Sequence, residues 1–99
     1  MSTIELPLDV EDFLTWLASD RGRAPATLKA YRRDLRSYLD WLDERGVACG
    51  QATEDEIVGY VHHLRDLGRA PATVARATVA VRSLHRFLAG EGLTDHDPT

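Results

Sequence analysis

Residues 22–46 read GRAPATLKAYRRDLRSYLDWLDERG, and residues 68–92 read GRAPATVARATVAVRSLHRFLAGEG. Gly22 recurs as Gly68, an offset of 46, and the first six residues of the two stretches are identical. Further along, Ser37 matches Ser83, Leu42 matches Leu88 and Gly46 matches Gly92, while the apolar positions Leu28/Val74, Leu35/Val81, Tyr38/Leu84 and Trp41/Phe87 keep their character. Similarity at a fixed offset marks a repeated supersecondary unit. Two copies are too few for a solenoid, so the reading is one domain built from two similar halves.

The flanking segments extend the unit. In LDVEDFLTWLAS (8–19), Val10, Phe13, Leu14 and Leu17 fall at helical spacing, with acids crowding the first turn, where the helix dipole favours them. TEDE at 53–56 is a capping box, followed by Ile57, Tyr60, Val61 and Leu64 at the same internal spacing. Each half is therefore a short helix followed by a long one. The long helices are expected over Pro25–Glu44 and Pro71–Gly90, because Pro suits the first helical position, with Ala24 and Ala70 at the caps. GVACGQ (46–51) reads as loop and the end of the chain as linker-like. The expectation is an all-α bundle of four helices in two antiparallel pairs.

At 99 residues the chain is one domain, and its 43% hydrophobic and 28% charged content is ordinary for a globular protein. The lone Cys49 cannot form an internal disulfide, and this suits a reducing, cytoplasmic setting. The N-terminal twenty residues hold five acids and no Lys or Arg, unlike a secretory signal, and no apolar run approaches a membrane span.

The net charge of −4 conceals a pattern. Segment 1–20 sums to −5, 21–36 to +5, 37–64 to −5, 65–86 to +4 and 87–99 to −3. Both basic blocks fall in the repeated stretch. At roughly 100° per residue from Leu28, the residues Leu28, Tyr31, Leu35, Tyr38, Leu39 and Leu42 share one face. Lys29, Arg32, Arg33 and Arg36 form a basic sector beside it, with Asp34, Asp40 and Asp43 expected outside that sector. Arg82 and Arg86 occupy the matching sector of the last helix, Thr78 lies at its edge, and Arg76 points elsewhere. Repeated basic faces can reach duplex phosphates and guanine edges, and the first-turn residues Thr27 and Thr73 can add hydroxyls.

Other chemistry-bearing residues form no constellation. Tyr31, Tyr38 and Tyr60 sit on apolar stripes and read as core, and Trp16 and Trp41 as core or interdomain contacts. His62 and His63 point about 100° apart; His62 with Asp66 makes two metal ligands at most, too few for a site. His85 flanks the basic sector, where it could face DNA, although a packed or solvated histidine is the default. Cys49 has no nearby base.

The segments VEDFLTWL (10–17), Arg21-Gly22, ATLKAYRRDL (26–35) and WLDERG (41–46) carry a resemblance that continues through Ala72-Thr73, VRSLHRFL (81–88), Glu91-Gly92-Leu93 and Asp97-Pro98. With these residues the chain resembles the N-terminal core-binding domain of tyrosine recombinases, in the Xer and phage-integrase branch. The resemblance implies a SAM-like orthogonal bundle whose second and fourth helices cross the DNA major groove. Its implied contact residues are Thr27, Lys29, Arg32, Arg33, Arg36, Thr73, Arg76 and Arg82. The family usually has Ser where Ala24 stands, so one phosphate contact is absent. The resemblance places the catalytic arginines, lysine, histidines and tyrosine nucleophile in a separate domain after the linker. Residues 1–94 would then be the core-binding domain and 95–99 the start of that linker, with no catalytic residue, cofactor or metal in this chain. The implied partners are double-stranded DNA and further recombinase protomers in a tetramer, with no membrane and an isolated domain that is monomeric. The alternative is a helical protein–protein interaction module without DNA affinity.

Overall fold

A computed structural model of the chain describes residues 6–90. Within them lie four α-helices: α1 (Leu8–Ser19), α2 (Pro25–Glu44), α3 (Glu54–Asp66) and α4 (Pro71–Gly90). No strand occurs among the described residues. The boundaries follow from local chemistry. Pro25 opens α2 with Ala24 at the cap, which offers no side-chain acceptor. Glu56 Oε1 accepts from the Thr53 backbone N–H at 2.8 Å and from the Thr53 hydroxyl at 2.7 Å, fixing the start of α3. These bonds hold the Glu56 carboxyl below its ordinary pKa. The 46–51 segment, expected as loop, contains one 3₁₀ turn over Cys49–Gln51. The expected linker start at 95–99 lies outside the described residues.

The repeat is structural as well as textual. Gly22 and Gly68 both adopt positive φ, 62° and 78°, which only glycine enters without strain. After each glycine the chain turns back on the short helix: Arg23 N–H donates to the Leu17 carbonyl and Arg69 N–H to the Leu64 carbonyl, both at 3.1 Å. The first of these turns holds one more residue. This explains why the short helices align at an offset of 47 (Val10 with Ile57) and the long ones at 46.

The two long helices make the most extensive contact, and each short helix lies against both. A radius of gyration of 12.8 Å agrees with the roughly 13 Å expected of a single 100-residue domain. Val10, Phe13 and Leu17 from α1, Leu35, Tyr38 and Leu42 from α2, Ile57 and Tyr60 from α3, and Val81, Leu84 and Leu88 from α4 fill the interior. Leu28, Leu39 and Val61, expected inside, are only partly buried at its margin.

Two aromatic clusters mirror each other across the repeat. Phe13 and Trp16 of α1 meet Phe87 of α4, with centroids at 5.3–6.3 Å. Tyr60 and His63 of α3 meet Trp41 of α2 at 5.4–6.1 Å. Each cluster carries a guanidinium, Arg21 at 5.7 Å from the Trp16 centroid and Arg45 at 4.2 Å from that of Trp41. The tryptophans thus wedge the long helix of one half against the short helix of the other. Between the clusters the Tyr38 hydroxyl lies 2.7 Å from His85 Nε2. His85 is 2% exposed, so it belongs to the core and does not flank an exposed basic face.

Candidate nucleic-acid interface

The outward side of α2 carries Lys29, Arg33 and Arg36, all exposed. None of the three forms an ion pair among the described residues. Arg32 is half-buried and donates through both terminal nitrogens to the Glu11 carboxylate of α1, one bond measuring 2.8 Å. Thr27 and Thr73 are half-buried in the first turns of α2 and α4.

The acids do not keep to the places expected of them. Arg36, Asp40 and Asp43 stand at i, i+4 and i+7, one face of a helix. In the structure they share a shallow groove of about 270 Å³ with Leu6, Pro7 and Val47. Asp40 and Asp43 therefore fall on the basic side of α2, C-terminal to its Lys29, Arg33 and Arg36. Asp34 does lie off that face, for a reason the sequence reading missed. It is buried and accepts from Arg76 of α4, at 2.8 Å from Nε and 3.0 Å from Nη2. Arg76, expected to point away from the basic sector, crosses to α2.

A larger groove of about 650 Å³ opens between α2, the end of α3 and the start of α4. It gathers Arg33, Thr73 and Arg76 with Arg69, and is edged by Asp40 and Glu44. Arg69 was not singled out from the sequence, although the duplicated Gly-Arg before each long helix marks its position. On the far edge of α4, Arg82 donates to Glu54 of α3 at 3.0 and 2.9 Å. Arg86 lies with Arg21 and Arg23 beside Trp16 and Phe87. The eight residues named from the resemblance thus divide: Arg33, Thr73 and Arg76 meet at one groove, Arg32 and Arg36 lie toward α1, Arg82 toward α3, and Thr27 and Lys29 at the start of α2.

The ion pairs perturb the groups that form them. The Arg32 guanidinium holds the Glu11 carboxyl below its ordinary value, with Arg36 adding to the effect. Arg82 does the same for Glu54, and both arginines are raised in turn. Arg76 is raised by its bond to Asp34.

The nucleophile candidates are held protonated. Burial pushes the Cys49 thiol to about 11 and the Tyr60 phenol to about 12, and raises Tyr38 further. His62 is exposed while His63 packs on Trp41 and Tyr60. No group of three metal-ligating side chains occurs among the described residues. No described helix is long and apolar enough to cross a membrane.

Comparison with known proteins agrees with this architecture. Residues 10–92 match the family described as phage integrase, N-terminal SAM-like domain. The chain is 38% identical over 92% of its length to the tyrosine recombinase XerD of Halalkalibacterium halodurans, covering 31% of that protein. It is 40% identical over 91% of its length to the tyrosine recombinase XerC of Roseiflexus sp. (strain RS-1), covering 29% of it. With the tyrosine recombinase XerD of Mycobacterium tuberculosis it shares 41% identity over 93% of its length, covering 32%. The chain therefore spans about a third of the length of these curated relatives. No solved structure matches it.

Proposed function

The chain belongs to the family of phage integrase N-terminal SAM-like domains, and from that premise we propose that it binds duplex DNA as the N-terminal clamp arm of a site-specific tyrosine recombinase. The observation that carries the reading is the outward face of α2, where Lys29, Arg33 and Arg36 are exposed and outside any ion pair among the described residues. Arg69 and Thr73 continue the polar surface across the adjoining groove to α4. Such cations reach phosphates and, in the major groove, guanine O6 and N7. Arg32, Arg76 and Arg82 enter as residues that already hold a carboxylate, so their share in binding differs from that of the exposed three.

In this reading residues 1–94 form the DNA-binding domain and residues from 95 lead toward a catalytic domain outside this chain. The full protein, within a tetramer in the cytoplasm, would cut and rejoin two sites through a 3′-phosphotyrosine intermediate. This domain would supply grip and register, and by itself would be a monomer needing no cofactor or metal.

The test is a fluorescence-anisotropy titration of a labelled duplex of about 20 base pairs with the wild-type chain and with R33E/R36E. Phosphate-dominated binding gives a Kd of about 10⁻⁴ to 10⁻⁶ M that weakens steeply with salt. R33E/R36E should bind at least tenfold more weakly while its circular-dichroism melt is unchanged, because neither arginine supports the core. Absence of wild-type binding at low salt would defeat the proposal and favour a helical protein–protein module.

A further inference from the structure

Three guanidiniums grip carboxylates across helix boundaries, and the three grips are not alike. Asp34 is 8% exposed at its side chain and its partner Arg76 34%, whereas Glu11 and Arg32 are 37% and 42% exposed and Glu54 and Arg82 47% and 33%. The two open pairs share a design. In each, a glutamate in the first turn of a short helix reaches the outer edge of a long helix and takes both terminal nitrogens of one arginine. A phosphate would meet a guanidinium in the same two-pronged way.

We infer that Glu11 and Glu54 are internal stand-ins for phosphate: they hold Arg32 and Arg82 in the free domain, release them to the DNA backbone on binding, and so set its affinity and salt dependence. This rests on the DNA-binding reading above. Exposed ion pairs contribute little to stability, so exchanging a carboxylate for a phosphate costs the fold almost nothing. Arg76 is excluded from the exchange, because drawing it away would leave Asp34 charged and enclosed. When an arginine leaves for a phosphate, the glutamate it leaves is bare and attracts a cation from solution, offsetting part of the cation release from the DNA, so each glutamate subtracts from the electrostatic driving force. Glu11 has the larger reach, because Arg36 also lies close enough to perturb it.

The experiment compares the wild-type chain with E11Q/E54Q, each single variant, and D12N/D55N. The last makes the same change in charge at two exposed acids that form no ion pair among the described residues. Binding to one duplex of about 20 base pairs is measured from about 50 to about 200 mM salt. E11Q/E54Q should bind about threefold tighter at about 0.1 M for each arginine freed, with a salt slope steeper by at most about 0.9 each. D12N/D55N should shift the curve less and leave the slope unchanged, since neither aspartate holds Arg32 or Arg82. Equal gains in the two double variants would overturn the inference in favour of bulk charge. Unchanged or weaker binding by E11Q/E54Q would overturn it while leaving DNA binding intact. If no protein bound even at the lowest salt, the functional reading would fall and this inference with it. Thermal melts of every variant establish the fold, and the single variants give the answer if the double one is unstable.

Discussion

The two halves of the domain share a scaffold and differ in where they place their acids. Leu35 and Val81, Tyr38 and Leu84, and Trp41 and Phe87 occupy equivalent interior positions. The ion pairs have no such equivalents. Arg82 is held by Glu54, but its mate Arg36 has Pro7 where that glutamate would stand, and the two share a groove. The Asp34–Arg76 pair maps by the repeat onto Ala80 and Ala30. Helix α2 keeps Lys29 and Arg33 on its outward side, where α4 has Ala75 and an exposed Val79. Packing constraints preserved the core of the unit in both copies, while its polar surface diverged. On this account α2 supplies most of the grip through Lys29, Arg33 and Arg36, while α4 offers only Arg86 as an exposed cation outside the ion pairs among the described residues.

The core equivalence is the hardest part of this comparison to break without unfolding the domain. Leu35 is fully buried, and Leu35→Ala should cost about 2–5 kcal/mol by chemical denaturation. Its mate Val81→Ala removes fewer atoms and should cost less. Equal costs would show that the two halves do not pack as equivalents.

The asymmetric pair comes next. A double-mutant cycle on Asp34→Ala and Arg76→Ala should give a coupling of about 1–3 kcal/mol, below that of a fully buried pair because Arg76 is one-third exposed. A coupling near zero would make the crossing of α2 and α4 a matter of apolar packing alone.

The functional difference between the halves is sharpened by charge removal on each long helix. Arg36→Ala should lower the slope of log affinity against log salt by about 0.9, and Arg82→Ala by less, because Glu54 already neutralises it. Equal slopes for the two variants would erase the distinction.

The smallest effect is on acid stability. Glu11 and Glu54 have folded pKa values depressed below the ordinary 4.5, so their contribution is present above that value and is lost as pH falls through the lowered ones. The gap in melting temperature between wild type and E11Q/E54Q should therefore be small near neutrality and close below about pH 4. A gap that widened as the pH fell would contradict the assigned sign.

The helix boundaries were legible because the chain punctuates them twice, with Gly-Arg-Ala-Pro before each long helix and a Thr53–Glu56 box before α3. The apolar stripes were legible because burial follows helical periodicity. The same periodicity also held what was misjudged about Asp40 and Asp43, whose spacing from Arg36 puts all three on one face. Asp34 with Arg76 and Tyr38 with His85 could not be read in this way. Their partners lie 42 and 47 residues apart, and only the crossing of α2 over α4 brings them together. For the same reason the eight candidate residues read as a set in the sequence, while the fold ties Arg32 to Glu11 of α1, Arg76 to Asp34 of α2 and Arg82 to Glu54 of α3.

The most direct test of the account is a ¹⁵N-HSQC titration of the chain with a generic B-form duplex of about 20 base pairs, at about 50 mM and then about 200 mM salt. The account predicts shifts concentrated on Lys29, Arg33 and Arg36 of α2 and on Arg69 and Thr73 at the entry to α4, shrinking as salt rises. Absence of shifts at low salt, or shifts centred away from α2, would contradict it.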